Sequence, residues 1–202
     1  MKRIYRFSLF LFACLLFGLI LKLASTKYPA AFDIDILTVF SNMQTPALNV
    51  FFGTITWLGS FYIIIPVSLV AGYILYSRQQ RIEVLFFSTG IISAIVITQL
   101  LKNLIARQRP DMYPALTHTF SSLSFPSAHA AQISALCLSV FLICRPRQRM
   151  QRVLFATALC LLVFGVMLSR LYLQVHYPTD VLGGMLLGLI CVAGSSLIYR
   201  RT

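Results

Sequence analysis

The sequence predicts an all-α integral membrane protein: a six-transmembrane-helix bundle with a short interfacial helix after the first span. Three observations predict it. Of 202 residues, 58% are hydrophobic and only 11% are charged, whereas a soluble domain carries about 25% charged residues. The apolar residues gather in six runs, near the length of about 20 residues that a membrane-crossing helix needs. The cations lie in short clusters between the runs, as topology signals do. That clustering accounts for the net charge of +12, so the basicity is not read as nucleic-acid binding.

The first run extends from about Phe7 to Ala24, behind Met-Lys-Arg-Ile-Tyr-Arg. It resembles a secretory leader, but it is long for one and Lys22 spoils a small-x-small cleavage site, so a retained signal anchor is expected. A polar stretch with Lys27, Pro29, Asp33 and Asp35 follows. From Ile34 to Phe52 the pattern is mixed, with Ile36, Leu37, Val39, Phe40, Leu48 and Phe51 apolar, which predicts one short helix lying at the interface. The second span is expected from Ile55 to Tyr76, tolerating Gly59 and Pro66, and the third from Val84 to Ile105. Residues 106–125 read as a polar loop. Three more spans follow, from about Ser127 to Cys144, Val153 to Tyr172 and Thr179 to Tyr199. No repeat, linker or second domain is visible, so residues 1–202 read as a single membrane domain. Cys14, Cys137, Cys144, Cys160 and Cys191 lack metal-type pairing and read as buried small hydrophobes.

Six spans put both termini on one side. That side collects Lys2, Arg3, Arg6, Arg78, Arg81, Arg145, Arg147, Arg149, Arg152, Arg200 and Arg201. The opposite side has Lys22, Lys27, Lys102, Arg107, Arg109 and Arg170. Eleven cations against six makes the termini cytoplasmic. The minority cations then need another explanation.

Four helix ends converge on that outer face, and each carries polar chemistry. The third span ends at Lys102, seven residues before Arg109, so the two could share a helical face, although Pro110 biases Arg109 out of the helix. The fourth starts with Pro126-Ser127-Ala128-His129, where a serine N-cap is favoured and free N–H groups meet an anion. The fifth ends at Ser169-Arg170, and the sixth starts with His176-Tyr-Pro-Thr-Asp180. Arginine and lysine suit a phosphate. Asp180, four residues beyond His176, could hold one imidazole nitrogen and leave the other as a nucleophile. His129 could protonate a leaving oxygen. Taken singly, each of these residues has a plainer reading as a snorkelling cation, an interfacial histidine or a helix cap. Arg107, His118 and Asp111 keep that reading, because no partner is apparent for them. It is the joint pattern that points to a site.

Lys102 to Pro110 fits Lys-x6-Arg-Pro, Pro126 to His129 resembles Pro-Ser-Gly-His, and Ser169 to Asp180 fits Ser-Arg-x5-His-x3-Asp. In this order the three motifs, which span residues 102–180, resemble the type-2 phosphatidic acid phosphatase superfamily, related to vanadium haloperoxidases. One position departs: Ala128 stands where glycine is usual, which puts fine substrate fit in question more than catalysis. The resemblance implies a metal-independent phosphatase without cofactor, acting through a phosphohistidine. By position, His176 would be the nucleophile, Asp180 its orienter and His129 the acid, then the base. Lys102, Arg109, Ser127, Arg170 and the N–H of Ala128 would bind phosphate. Ser169 would only support them. The membrane-bound branch implies a lipid phosphate partner at the outer face of a bacterial inner membrane, with undecaprenyl diphosphate first and phosphatidylglycerophosphate or phosphatidic acid next. Transfer of the phosphate to another lipid is the competing outcome at the same site. An anion transporter is disfavoured, because the charges lie at helix ends rather than at the midplane.

Overall fold

The computed structural model describes residues 2–26, 28–119 and 121–199. Its ordered elements are helical: α1 (Lys2–Ala24), α2 (Ala31–Asn42), α3 (Pro46–Ile55), a 3₁₀ turn (Thr56–Gly59), α4 (Phe61–Ser77), α5 (Arg81–Ile105), α6 (Ala128–Cys144), α7 (Arg149–Tyr172) and α8 (Pro178–Tyr199). Among the described residues four helices are long and apolar enough to cross a bilayer: residues 7–24 of α1, then α5, α7 and α8. A fifth span arises if Pro46–Gly59 and α4, bent by 41° at Ser60, count together. Lys2, Arg3, Arg6, Lys27, Arg200 and Arg201, used in the topology count, lie outside the described side chains.

Two elements differ from expectation. The stretch expected to form one short interfacial helix holds two helices, because Thr45-Pro46 is a start signal inside it. Proline disfavours the helical region for the residue before it. Thr45 is extended and accepts from the Leu48 N–H at 3.3 Å, with Pro46 in the first turn of α3. The helix expected to start at Ile55 starts at Phe61, since the chain tightens into the 3₁₀ turn and Ser60 is extended. Gly59 leaves no room for a side chain against Val166 and the His129 backbone.

The core lies between α5, α6 and α8, where Phe86, Phe87, Ile91, Ile133, Leu136, Leu187 and Val192 pack together. α6 is small along its length, with Ala130, Ala131, Ser134, Ala135 and Ser139 buried. Lipid tails are as apolar as leucine, so membrane helices gain their packing from small residues that let backbones approach. Gly184 and Gly188 of α8 do this: a Cβ on either would collide with the carbonyl oxygen of Ser127 or Ala131. Gly188→Ala should therefore destabilise the protein by roughly 1–3 kcal/mol, read as a lower unfolding temperature in detergent. Gly72→Ala, with open space around it, should leave that temperature unlowered. Large apolar side chains face outward, among them Leu15, Leu69, Leu104 and Leu161, as on a lipid-contacting surface. Cys144 and Cys160 share that exterior, so only Cys137 and Cys191 are buried as expected, and Cys14 is intermediate.

Candidate active site

The site is assembled where the C-terminal ends of α5 and α7 meet the N-terminal ends of α6 and α8. α5 stops because Ala106 takes a left-handed φ of 50°. Lys102 and Arg109 consequently share no helical face and come together through the loop instead. That loop doubles back, with an antiparallel bridge between Gln108 and Leu123 and the Ser124 N–H donating to the Arg107 carbonyl at 2.8 Å. The buried Lys102 Nζ donates to the carbonyls of Leu123 (2.9 Å) and Ser124 (3.1 Å). An ammonium has three donors, so one is left for a ligand. Arg109 donates from Nε to the Ser121 carbonyl at 2.8 Å and from NH1 to the Val175 carbonyl at 2.6 Å.

Ser127 is at the N-cap position of α6 but does not cap with its side chain. Its backbone N–H donates to the Asp180 carbonyl at 3.0 Å, and its fully buried hydroxyl has no hydrogen-bond partner. The N–H groups of the first turn, Ala128 and His129 among them, have no intrahelical acceptor by helix geometry. Arg170 is 4% exposed. Its NH1 donates to Thr56 Oγ1 at 2.6 Å, while its Nε is buried without a partner. Orphaned buried donors call for an explanation. His129 is half-buried, and Arg170, His176, Arg109 and Lys102 all lie close enough to act on its charge. Ser169 bonds back to the Val166 carbonyl at 2.6 Å, within its own helix.

His176 occupies the turn between α7 and α8 and is 2% exposed. Arg109 NH1 lies 3.1 Å from its Nε2. A guanidinium can only donate, which assigns the lone pair to Nε2 and the proton of the neutral ring to Nδ1. Asp180 Oδ2 faces Nδ1 at 3.5 Å, longer than a well-formed hydrogen bond, and Nδ1 has no such bond. Catalytic hydrogen bonds are often long before substrate is engaged. Burial, and then the charges of Arg109, Arg170 and Lys102, hold the imidazole well below the ordinary histidine range, against an opposing hydrogen bond with the Ser124 backbone. The ring is therefore neutral at neutral pH.

Three residues escape the sequence reading. Arg107 is not a solitary surface cation: its side chain is 9% exposed and ion-paired with Asp33 at 2.9 Å and Asp180 at 2.6 Å. Asp33 of α2 is fully buried at the same junction. Thr56 holds Arg170. Asp33 and Thr56 lie far upstream of every motif, and the one local hint was a carboxylate without a partner beside an apolar run. Asp111 and His118 are exposed. Among the described residues no three histidine, cysteine or carboxylate side chains gather as metal ligands do.

Residues 83–202 match the model of the PAP2 superfamily. The chain belongs to that superfamily. Other PAP2 proteins resemble it over different extents. A decaprenylphosphoryl-5-phosphoribose phosphatase of Mycobacterium tuberculosis is 40% identical over 120 residues, 58% of this chain and 61% of the relative. The match thus spans less than two thirds of that relative's length. An undecaprenyl-diphosphatase of Sulfolobus acidocaldarius is 25% identical over 190 residues, 92% of this chain and 87% of the relative. The crystal structure of a transmembrane PAP2-type phosphatidylglycerolphosphate phosphatase from Bacillus subtilis superposes with a TM-score of 0.83 at 26% identity, covering 95% of this chain and 98% of that one.

Proposed function

We propose that the protein is a metal-independent lipid phosphate or diphosphate phosphatase acting through a phosphohistidine. The observation that carries this reading is the buried His176 ring, with Nε2 against an arginine donor and Nδ1 facing a buried carboxylate. A phosphate gripped by Arg109, Arg170, Lys102 and Ser127 would sit at Nε2. Nε2 attacks phosphorus, and the bond from phosphorus to the lipid-side oxygen breaks as His129 protonates that oxygen. Asp180 supports the charge on the phosphorylated ring through Nδ1–H. His129 then takes a proton from water, the water oxygen attacks phosphorus, and the N–P bond's electron pair returns to Nε2. Arginine and lysine supply electrostatic stabilisation of the transferred group.

The lipid reading rests on a site assembled at the ends of long apolar helices, and on relatives whose names denote polyprenyl and glycerophospholipid phosphates. Undecaprenyl diphosphate is the first candidate, phosphatidylglycerophosphate and phosphatidic acid the next, with lipid-to-lipid transfer the alternative fate of the same intermediate. We further propose six spans in the inner membrane of a bacterium. α6, at 17 residues, is about 26 Å long at 1.5 Å per residue, near the roughly 30 Å hydrocarbon core, and the bent pair makes one span. The excess of cations on the side of the termini supports cytoplasmic termini and a site on the outer face. The purified protein should release phosphate from one lipid of a panel with EDTA present. Loss of activity on EDTA treatment, or release from none of these lipids, would contradict the reading.

A further inference from the structure

We propose that Asp33 and Arg107 are positioning residues: together they clamp the Asp180 carboxylate and so aim His176. This inference rests on the reading of His176 as the attacking group. Asp180 is fully buried, and its two oxygens have different duties. Oδ1 accepts from Arg107 NH1 at 2.6 Å. Oδ2 accepts from the Tyr177 N–H at 2.9 Å and faces His176 Nδ1. By holding one oxygen, Arg107 sets the carboxylate plane and leaves the other oxygen for the imidazole.

Arg107 is itself fixed on every side. Its NH2 donates to Asp33 Oδ2 at 2.9 Å, its NH1 also donates to Thr179 Oγ1 at 2.6 Å, and its Cζ lies 4.3 Å from the centroid of the Tyr177 ring. Asp33 closes the circuit, accepting from the Thr179 N–H at 3.0 Å and from Thr179 Oγ1 at 2.8 Å. It thus binds the first turn of α8 to α2 while orienting the guanidinium. A planar fork that bridges two carboxylates cannot be replaced by a point charge, and groups that orient a ligating or reacting side chain typically cost 10- to 100-fold when lost. Asp33 lies outside the region matched by the superfamily model, so α2 completes a site whose motifs lie elsewhere.

The test is a cycle of variants in the full chain, assayed in detergent for kcat and KM, with unfolding temperature recorded for each. Asp33→Asn should lower kcat on the order of 10- to 100-fold with KM within a few-fold. Arg107→Lys, which keeps the charge and loses the fork, should not restore activity. Thr179→Ala removes only the bridging hydroxyl, leaves no buried charge unpaired and should lower kcat several-fold, so it tests the clamp even where the charge variants fail to fold. In an Asp180→Asn background the same changes should cost little further, because they act through Asp180. Undiminished kcat in Asp33→Asn or Thr179→Ala, full activity in Arg107→Lys, or additive losses on Asp180→Asn would each overturn the clamp. His176→Ala serves as the reference. If it is inactive while the clamp losses are additive, the clamp alone falls. If it is fully active, the reading of the site falls and the clamp falls with it.

Discussion

Replacing His176 with alanine should abolish phosphate release, lowering kcat by roughly 10⁴-fold or more. Removing a nucleophile leaves only what binding and electrostatic stabilisation achieve alone, and losses from such changes reach about 10⁶-fold. Two features make a large loss the expected result. The ring is buried and neutral, so it is not a surface histidine whose absence water could repair. The cations proposed to grip the phosphate, and the orphaned Ser127 Oγ and Arg170 Nε, come from other elements, so His176→Ala should still bind substrate with a similar affinity. Rapid quenching of wild type with phosphate-labelled lipid should trap label on the protein that survives base and is lost in acid, as a phosphoramidate is. His176→Ala should carry none. An unlabelled wild type, or a labelled and active His176→Ala, would exclude covalent catalysis by this ring.

The sequence predicts α6 and α8, two of the four motif-bearing helices, to within a residue at either end, and it does so for physical reasons. Each is an apolar run bounded by a proline or a serine start signal and a basic stop. It fails where a local signal overrides hydropathy, as at Thr45-Pro46, which splits the expected interfacial helix. It fails again where two residues meet only in the tertiary fold. Arg107 and Asp33 are 74 positions apart, and nothing in their spacing announces an ion pair. Lys102 and Arg109 illustrate the opposite error. Their seven-residue separation suggests a shared face, but the left-handed Ala106 ends the helix between them, and both reach the site through the carbonyls of the 121–124 segment and Val175. Helical spacing is therefore not what brings these two cations together; the loop after Ala106 does. The residues that hold the motif side chains in place, Asp33, Thr56 and Arg107, belong to no motif read from the sequence by role.

Arg109→Gln should lower kcat/KM by about 10²- to 10³-fold, the scale for removing one preorganised donor to developing charge, and should move the acid limb of the pH profile to higher pH. The sign follows from the forces on His176. Burial is the main cause that keeps its imidazole below the ordinary range, and the Arg109 charge is the next. A neighbouring cation disfavours the imidazolium. Without it the ring binds a proton more readily, its pKa rises toward the ordinary value, and the nucleophilic form is lost at a higher pH as the solution is acidified. Burial and Arg170 remain, so the limb moves only part of the way. Arg109→Lys separates charge from geometry. It keeps the cation but cannot reproduce the donors that reach Ser121, Val175 and His176 Nε2, so its rate should fall while its limb stays closer to wild type than that of Arg109→Gln. Measuring kcat/KM against pH for the three proteins on one lipid cancels the titration of the substrate itself. A limb that stays put in Arg109→Gln, or moves to lower pH, would mean that the titrating group is not the ring beside Arg109. If the rates fall together but only the glutamine variant shifts, one arginine is both holding the phosphate and keeping the attacking nitrogen unprotonated.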